Sequence, residues 1–360
     1  MLILRCFKAG KGDSFLLTWK KDELHRLLID SGIEGTYRFI GPLVRDFGKN
    51  DYVIMTHVDY DHIGGLMKWL SDEQQPFNIE TLLYINTPQL LITTDSTDQV
   101  AVEHGVDLEK LLKSRGIVPN PLFMQIDGDN VLDLGGLELQ ILSPSREVIM
   151  KLLKEWTANK VYQEYIKTQL EQDEKVSTGS DQNWKSKEEI LKKLPKPHEW
   201  EKDLLNSSSI AFIMTINKVN LLFMGDANPD LIADELSRCG WSEENKLPLK
   251  LFKISHHGSK HNTTKRLLEM VECSEYLIST DSSGPYYHPS RETLILLSEY
   301  GRKDSMTPLI IYSNYPLPID KLLTKEERIN ITFEEIDELK ISINDQHGTF
   351  EQDYGAIDKE

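Results

Sequence analysis

Between residues 56 and 65 the chain reads Thr-His-Val-Asp-Tyr-Asp-His-Ile-Gly-Gly, and four candidate metal ligands, His57, Asp59, Asp61 and His62, crowd into six residues. The preceding run, Tyr52 to Met55, is apolar and short and reads as a buried strand. After Gly64-Gly65, the stretch Leu66 to Leu70 begins like a helix. The four groups therefore sit on a loop at a strand's C-terminal end, held open to substrate by rigid elements. Packed this densely they repel one another or go unpaired unless a cation neutralises them. A solvated surface loop is the bland alternative. Imidazole suits Zn, Fe and Mn, whereas carboxylate shifts the preference toward harder ions.

A length of 360 residues allows one large domain or two ordinary ones, and 39% hydrophobic with 28% charged residues is the make-up of a globular chain with a sizeable core. No run of eighteen apolar residues exists, so no membrane span is expected. Met1 to Cys6 reads as a first strand rather than a signal peptide. Cys6, Cys239 and Cys273 are scattered, without disulfide or metal spacing, which suggests the reducing cytoplasm. The formal net charge of -17 argues against an extended nucleic-acid surface but leaves room for a local basic groove.

Along the chain, strands are expected at 15–19, 26–30, 81–86, 137–142, 210–215, 219–224, 249–254, 276–280, 308–313 and 338–344. Helices are expected at 36–47 (broken by Pro42), 108–115, 229–239, 263–271 and 290–300. Residues 87–104 read as a polar loop. Residues 145–203 differ in character, rich in Lys, Glu, Gln and Trp, with helical runs at 147–172 and 186–194 around an exposed connector at 173–185. The block reads as a helical insertion, a candidate lid, partner surface or dimer contact, within one domain spanning 1–305. C-terminal strands and a tail follow at 306–360.

Ligand-type residues recur where short apolar runs end: His57 to His62, then Asp226 after Val219 to Met224, then His256 and His257 after Leu249 to Ile254. One end of a sheet assembly thus collects them. Asp226 has a structural alternative as the cap of the helix opening at Pro229. Strand alternation sends the rings of His256 and His257 in different directions.

In this order, the turn Gly10-Lys11-Gly12-Asp13, Asp30, the His57–His62 loop, the run Asn206 to Ser209, Gly225-Asp226-Ala227, His256-His257-Gly258-Ser259 and His288-Pro289 resemble the metallo-β-lactamase superfamily. Within it the chain is most similar to the hydrolase domain of ComEC-type DNA-uptake competence proteins. The resemblance implies an α/β, four-layer αββα sandwich with a metal site along one edge. It departs from the superfamily pattern at two points: Asp59 replaces the second His of His-x-His-x-Asp-His, and Asn206 stands roughly where a later His is usual. The implied first site is His57, Asp59 and a bridging Asp226, rich in oxygen and suited to Mn or Mg. The second is Asp61, His62, Asp226 and His256, suited to Zn, Fe or Mn. A single ion in the second site is the alternative to two divalent ions.

Two cations roughly 3.5–4 Å apart would acidify a shared water and clamp the oxygens of an electrophile, which fits in-line attack on a phosphodiester. Asp61 would orient the water or take its proton, and His257 or His288 would protonate the leaving oxygen or donate to phosphate. His257 has an alternative as a buried structural residue, His288 as an ordinary helix-start residue. Asp30 and Asp13 are expected to support the motif loop; Asp13 alternatively contacts the reactive water. Lys260, Asn206 and Ser259 are the candidate substrate contacts. A basic rim of Lys250, Lys253, Lys260, His261, Lys265 and Arg266, with Lys8 and Lys11, would suit an anionic substrate such as nucleic acid; a solvated face balanced by nearby acids is the alternative. His25, His104, His198, His261 and His347 read as surface histidines, and Trp156, Trp184 and Trp200 as packing for the insertion. The expected activity is a metal-dependent phosphodiesterase or nuclease acting on DNA. Hydrolysis of small esters, lactones or thioesters is a second possibility, and an effector subunit of a defence or repair complex a third.

Overall fold

A computed structural model describes residues 1–87, 103–125, 128, 130–158, 184–283, 287–302, 304 and 306–343, of which 103–106 and 155–158 are described by backbone alone. Two sheets face each other. The first contains β1 (Leu2–Cys6), β2 (Phe15–Lys20), β3 (Leu24–Ile29), β4 (Asp51–Ile54) and β5 (Leu82–Tyr84). The second contains β6 (Val131–Asp133), β7 (Glu138–Ser143), β8 (Ala211–Ile216), β9 (Val219–Phe223), β11 (Leu251–Lys253), β13 (Glu275–Ile278), β14 (Leu309–Ser313) and β15 (Ile331–Glu335). Two short strands, β10 (Leu247–Pro248) and β12 (Val271–Glu272), pair apart from both. The last strand, β16 (Glu338–Ile341), returns to the first sheet and pairs antiparallel with β1. The C-terminal segment therefore contributes to both sheets.

Alternation along the strands dictates the layering. In β2, Phe15, Leu17 and Trp19 face the second sheet while Leu16 faces outward. In β9, Leu221 and Phe223 face inward and Leu222 outward. One apolar core thus lies between the sheets and one lies on each outer face, which makes four layers. Helices α1 (Tyr37–Val44), α2 (Tyr60–Ser71) and α3 (Glu103–Ser114) cover the first sheet. Helices α7 (Pro229–Arg238), α8 (Lys265–Glu269), α9 (Arg291–Tyr300) and α10 (Ile319–Leu322) cover the second. The inserted block straddles the two outer layers. Leu152 of α4 (Arg146–Ala158) and Leu204 of α6 (Leu204–Ser207) pack with the first helix layer, and Ile190 of α5 (Lys187–Lys192) with the second.

In each sheet an antiparallel half meets a parallel half. β3, β4 and β5 run parallel, as do β9, β11, β13, β14 and β15. Loops leaving the C-terminal ends of β3, β4, β9, β11 and β13 emerge along one edge of the sandwich, the usual place for a site in such sheets.

Some local expectations shift. Pro42 does not break α1, which continues to Val44. The helix tolerates it because the carbonyl that loses its partner belongs to exposed Arg38, within reach of water, while Ile40 and Val44 anchor the buried face. The hairpin β8–β9 turns at Asn217 and Lys218, both at positive φ (47° and 67°), a geometry that matches the right-handed twist of the strands. The strands β6 and β15 lack a run long enough to read from sequence. Most of the loop 87–104, the distal part of the helical run 147–172 and nearly all of the connector 173–185 lie outside the described residues.

Candidate metal centre

The ligand loop leaves β4 at Met55 and re-enters regular structure at α2, whose cap position is Asp59. Asp30, just past β3, braces it from behind. Its carboxylate accepts hydrogen bonds from the Thr56 backbone N–H (2.7 Å), Thr56 Oγ1 (2.8 Å) and His62 Nδ1 (2.8 Å). Asp30 adopts φ 54° to reach all three, a left-handed conformation that Asp tolerates better than most residues. Because Thr56 Oγ1 spends its one proton on Asp30, it can only accept from His57 Nδ1, 3.1 Å away. Ser209 Oγ lies 3.2 Å from the same nitrogen and accepts from the Asp226 backbone N–H. It ties the loop of the first sheet to that of the second.

Three imidazoles are thereby oriented alike. His57 and His62 hold Nδ1 against Thr56, Ser209 and Asp30, and His257 Nδ1 donates to the Ser279 carbonyl at 2.9 Å. Their Nε2 atoms, all buried, find no hydrogen-bond partner, and neither does Asp226 Oδ1. These atoms converge. Asp226 Oδ2 lies 3.5 Å from His62 Nε2 and 3.9 Å from His257 Nε2; Asp61 Oδ2 lies 3.6 Å from His257 Nε2; Asp59 Oδ2 lies 3.4 Å from His57 Nε2. Three groups of possible ligands result among the described residues, His57–His62–Asp226, Asp61–His62–His257 and Asp13–Asp30–His62, of which the first two hold the convergent Asp226 and Asp61 carboxylates. Orphaned nitrogens facing carboxylates, each ring steered through its far nitrogen, are the arrangement a divalent cation fits. Leaving such groups buried and unpaired costs about 1–3 kcal/mol each.

The second sheet delivers its candidate ligands through an unusual turn. Ser255 follows β11, and then His256, His257 and Gly258 all take positive φ (47°, 56° and 88°). Both imidazoles are brought toward Asp226: His256 Nε2 also approaches Asp226 Oδ2 to 3.9 Å. The two differ in setting. His256 is partly exposed and its Nδ1 has no partner, whereas His257 is buried, tethered and part of a ligand set. Glycine at 12 permits the closure, since a Cβ there would fall 1.8 Å from the Asp61 carbonyl oxygen.

Electrostatics follow from the crowding. Burial opposes charge on His257, but Asp13, Asp226 and Asp61 outweigh it and push its pKa up to about 10. Burial likewise opposes charge on His62, and Asp226, Asp30 and Asp61 raise it well above the ordinary value. Burial disfavours the Asp226 anion, yet His256, His62 and His257 hold its carboxyl well below the usual range; Asp61 is lowered similarly, chiefly by His62 and His257. Without a cation the carboxylates recruit protons onto the rings. A divalent ion competes for the same lone pairs.

Residues 8–76 match the model of the Metallo-beta-lactamase superfamily, a span that holds the glycine turn, Asp30 and the entire ligand loop. Together with two facing sheets and helices on both outer sides, this decides the fold. The architecture is a metallo-β-lactamase fold. Solved structures similar to the chain include the metallo-beta-lactamase fold protein YhfI from Bacillus subtilis, at 11% identity and a TM-score of 0.42, covering 94% of this chain and 100% of that one. Another is Zn(2+)-bound PqqB from Methylobacterium extorquens, at 13% identity and a TM-score of 0.42, covering 95% and 100%. No curated protein matches the chain.

Around this metallo-β-lactamase-fold site the remaining candidates take varied positions. Asp13 forms a buried ion pair with Lys253, and its Oδ1 lies 3.4 Å from His257 Nδ1. His288 sits 5.8 Å from the His256 ring; burial and the charge of His256 and His257 push its pKa down to about 3, so it is neutral at physiological pH and offers a hydrogen bond more readily than a proton. Asn206 donates to Asp203 at 3.1 Å, with its Oδ1 buried and unpartnered. Ser259 is buried, its Oγ accepting from the His261 backbone N–H at 3.3 Å.

The expected basic rim is largely neutralised. Lys8 pairs with Glu335, Lys250 with Glu275, Lys265 with Glu269 and Arg266 with Asp234, while Lys253 is not on the surface at all. Among the described residues, Lys260 has no carboxylate partner within 4.0 Å. Two histidines read as surface residues line a small cleft beside Asp226: the ring of His198, from the insertion, lies tilted against that of His261, centroids 4.1 Å apart. His25 is half-buried against Trp19. The side chains of His104 and Trp156, and all of His347, lie outside the described residues. Trp184 packs under Arg291, and Trp200 under Lys151. Cys6, Cys239 and Cys273 are free thiols, and no described helix is long and apolar enough to cross a membrane.

Lys253, Ser209 and Ser279 each act through a contact between the two sheets; the motif order marks Ser209, but no local spacing reveals the roles of Lys253 and Ser279.

Proposed function

We propose that the protein is a metal-dependent hydrolase that uses an activated water to cleave a phosphodiester. The supporting observation is the convergence of three imidazole Nε2 atoms, each steered through Nδ1, on the carboxylates of Asp226, Asp61 and Asp59. His57, Asp59 and Asp226 would hold one ion, and Asp61, His62, His257 and Asp226 a second. This replaces His256 by His257 in the ligand set that motif order implies, because His257 is the tethered, buried ring. A divalent cation held by these residues would supply Lewis acidity, enough to make water nucleophilic at neutral pH. Asp61, half-buried at the mouth, orients the attacking water and accepts its proton. His256 and His288, left outside the ligand set, donate hydrogen bonds to the leaving oxygen. His198 and His261 stand beside Asp226, so the insertion reaches the edge of the centre.

The order of ComEC-type motifs supports a phosphodiester substrate, and DNA is its natural test case. The paired rim favours a short or terminal phosphodiester over a long duplex, since few cations remain to follow a backbone. Purified protein loaded with Zn, Mn or Mg should turn over a chromogenic phosphodiester, and Asp61→Ala should lower the rate by about 10²-fold or more. Turnover of chromogenic esters or lactones with no phosphodiester cleavage under any of the three ions would overturn the substrate assignment.

A further inference from the structure

Behind the candidate ligands, away from the mouth, lies a charged pair that the reaction itself does not use. Lys253 is the last residue of β11, and alternation points it into the space between the sheets, where it is 1% exposed. Its ammonium bonds the carboxylate of Asp13, equally buried, which belongs to the turn between β1 and β2. Lys253 Nζ also reaches the Gly225 carbonyl at 3.5 Å, one residue before Asp226. The other carboxylate oxygen of Asp13 has no hydrogen-bond partner and stands 3.4 Å from His257 Nδ1. The turn that carries Asp13 is fixed from the opposite side. Ser279 Oγ donates to the Gly12 carbonyl at 3.0 Å, and the Ser279 carbonyl accepts from His257 Nδ1.

A buried ion pair is a poor stabiliser, because desolvation offsets much of its attraction, and an apolar pair of similar size often does as well. A Lys–Asp pair buried between two apolar sheets, with its second carboxylate oxygen 3.4 Å from a candidate ligand ring, calls for another purpose. We infer that Lys253 and Asp13 are positioning residues for the metal centre: Lys253 fixes the Asp13 carboxylate against the left-handed His256–Gly258 turn, and the two together hold the His257 ring at the angle that aims Nε2 toward Asp61 and Asp226. The inference rests on the metal-centre reading above and extends it across the sheet interface.

The decisive comparison uses the full chain, with binding of Zn²⁺ and Mn²⁺ measured by chelator competition and folding by thermal melts of the metal-free protein. Asp13→Asn and Lys253→Met each break the pair and should lower both the melting temperature and the affinity. The double variant Asp13→Leu/Lys253→Met removes both charges. We expect it to recover the metal-free melting temperature of the wild type while binding metal about 10–100-fold more weakly, the usual cost of losing a group that orients a ligand. Wild-type affinity in the double variant would make the pair a structural strut and overturn the inference while leaving the metal centre intact. If neither single variant changes affinity, the inference falls in the same way. A wild-type protein that binds neither ion would overturn the metal centre itself.

Discussion

His257 holds φ at 56°, in a run of three left-handed residues that costs a non-glycine residue roughly 1–3 kcal/mol. The surroundings enforce it: β11 on one side, the Ser279 carbonyl on the ring, and Pro289 against Gly258. Strain stored beside convergent candidate ligands points to the ring's aim as what the turn is built for. His257→Ala should therefore weaken metal binding by well over the roughly 10–100-fold expected for a supporting group, and His256→Ala by much less. Chelator competition on the two variants checks the order, and a larger loss in His256→Ala would reverse the assignment. The same rings set the pH dependence. His62 and His257 have raised pKa values, so at neutral pH each carries a proton that a cation must displace. Affinity should climb from pH 5 to 8, with a slope in log K approaching about two for two displaced protons. Asp61 and Asp226, with lowered pKa values, are already ionised throughout that range and add no slope. A flat profile would mean that the rings bind no cation.

Among the elements, the loops at strand ends are built to tolerances of a few tenths of an ångström. A methyl group at residue 12 would meet the backbone carbonyl of Asp61 at 1.8 Å, whereas one at Gly35, in the turn before α1, meets nothing within 4 Å. Gly12→Ala should thus destabilise the protein by about 1–3 kcal/mol and loosen the Asp61 loop, with Gly35→Ala close to neutral. Thermal melts of both, with hydrogen exchange across residues 56–63, test the contrast. Elements with this much local information were readable in advance. The apolar alternation of Phe15 to Trp19 and of Val219 to Phe223, and the density of ligands from His57 to His62, each lie within one short window. What depended on partners far along the chain was not. Lys253 reads as a surface cation because nothing near it in sequence reveals Asp13, 240 positions away. The left-handed turn at His256 and His257 contradicts the ordinary preference of those residues and follows only from packing. Pro42 stays within α1 because its side of the helix faces water.

For the whole molecule, the question is how a chain of net charge -17 would meet the phosphodiester proposed above. Long-range attraction is unavailable, since the overall field repels phosphate. Local attraction is limited too, because Lys8, Lys250, Lys265 and Arg266 each face a carboxylate and Lys253 is buried. Binding of such a substrate would then come chiefly from the centre itself. Counterion release makes this measurable. Each phosphate neutralised adds about 0.9 to the slope of log K against log salt, so a surface that tracks a duplex through six to ten contacts is steeply salt-sensitive. Titration of a labelled, hydrolysis-resistant duplex against the metal-loaded wild type between 50 and 200 mM salt should give a slope no steeper than about -2. The corresponding short phosphodiester, tested as a competitor, should bind nearly as well as the duplex. A slope near -5 or beyond would require a basic surface that the described residues do not form, and would return long nucleic acid to the position of preferred substrate.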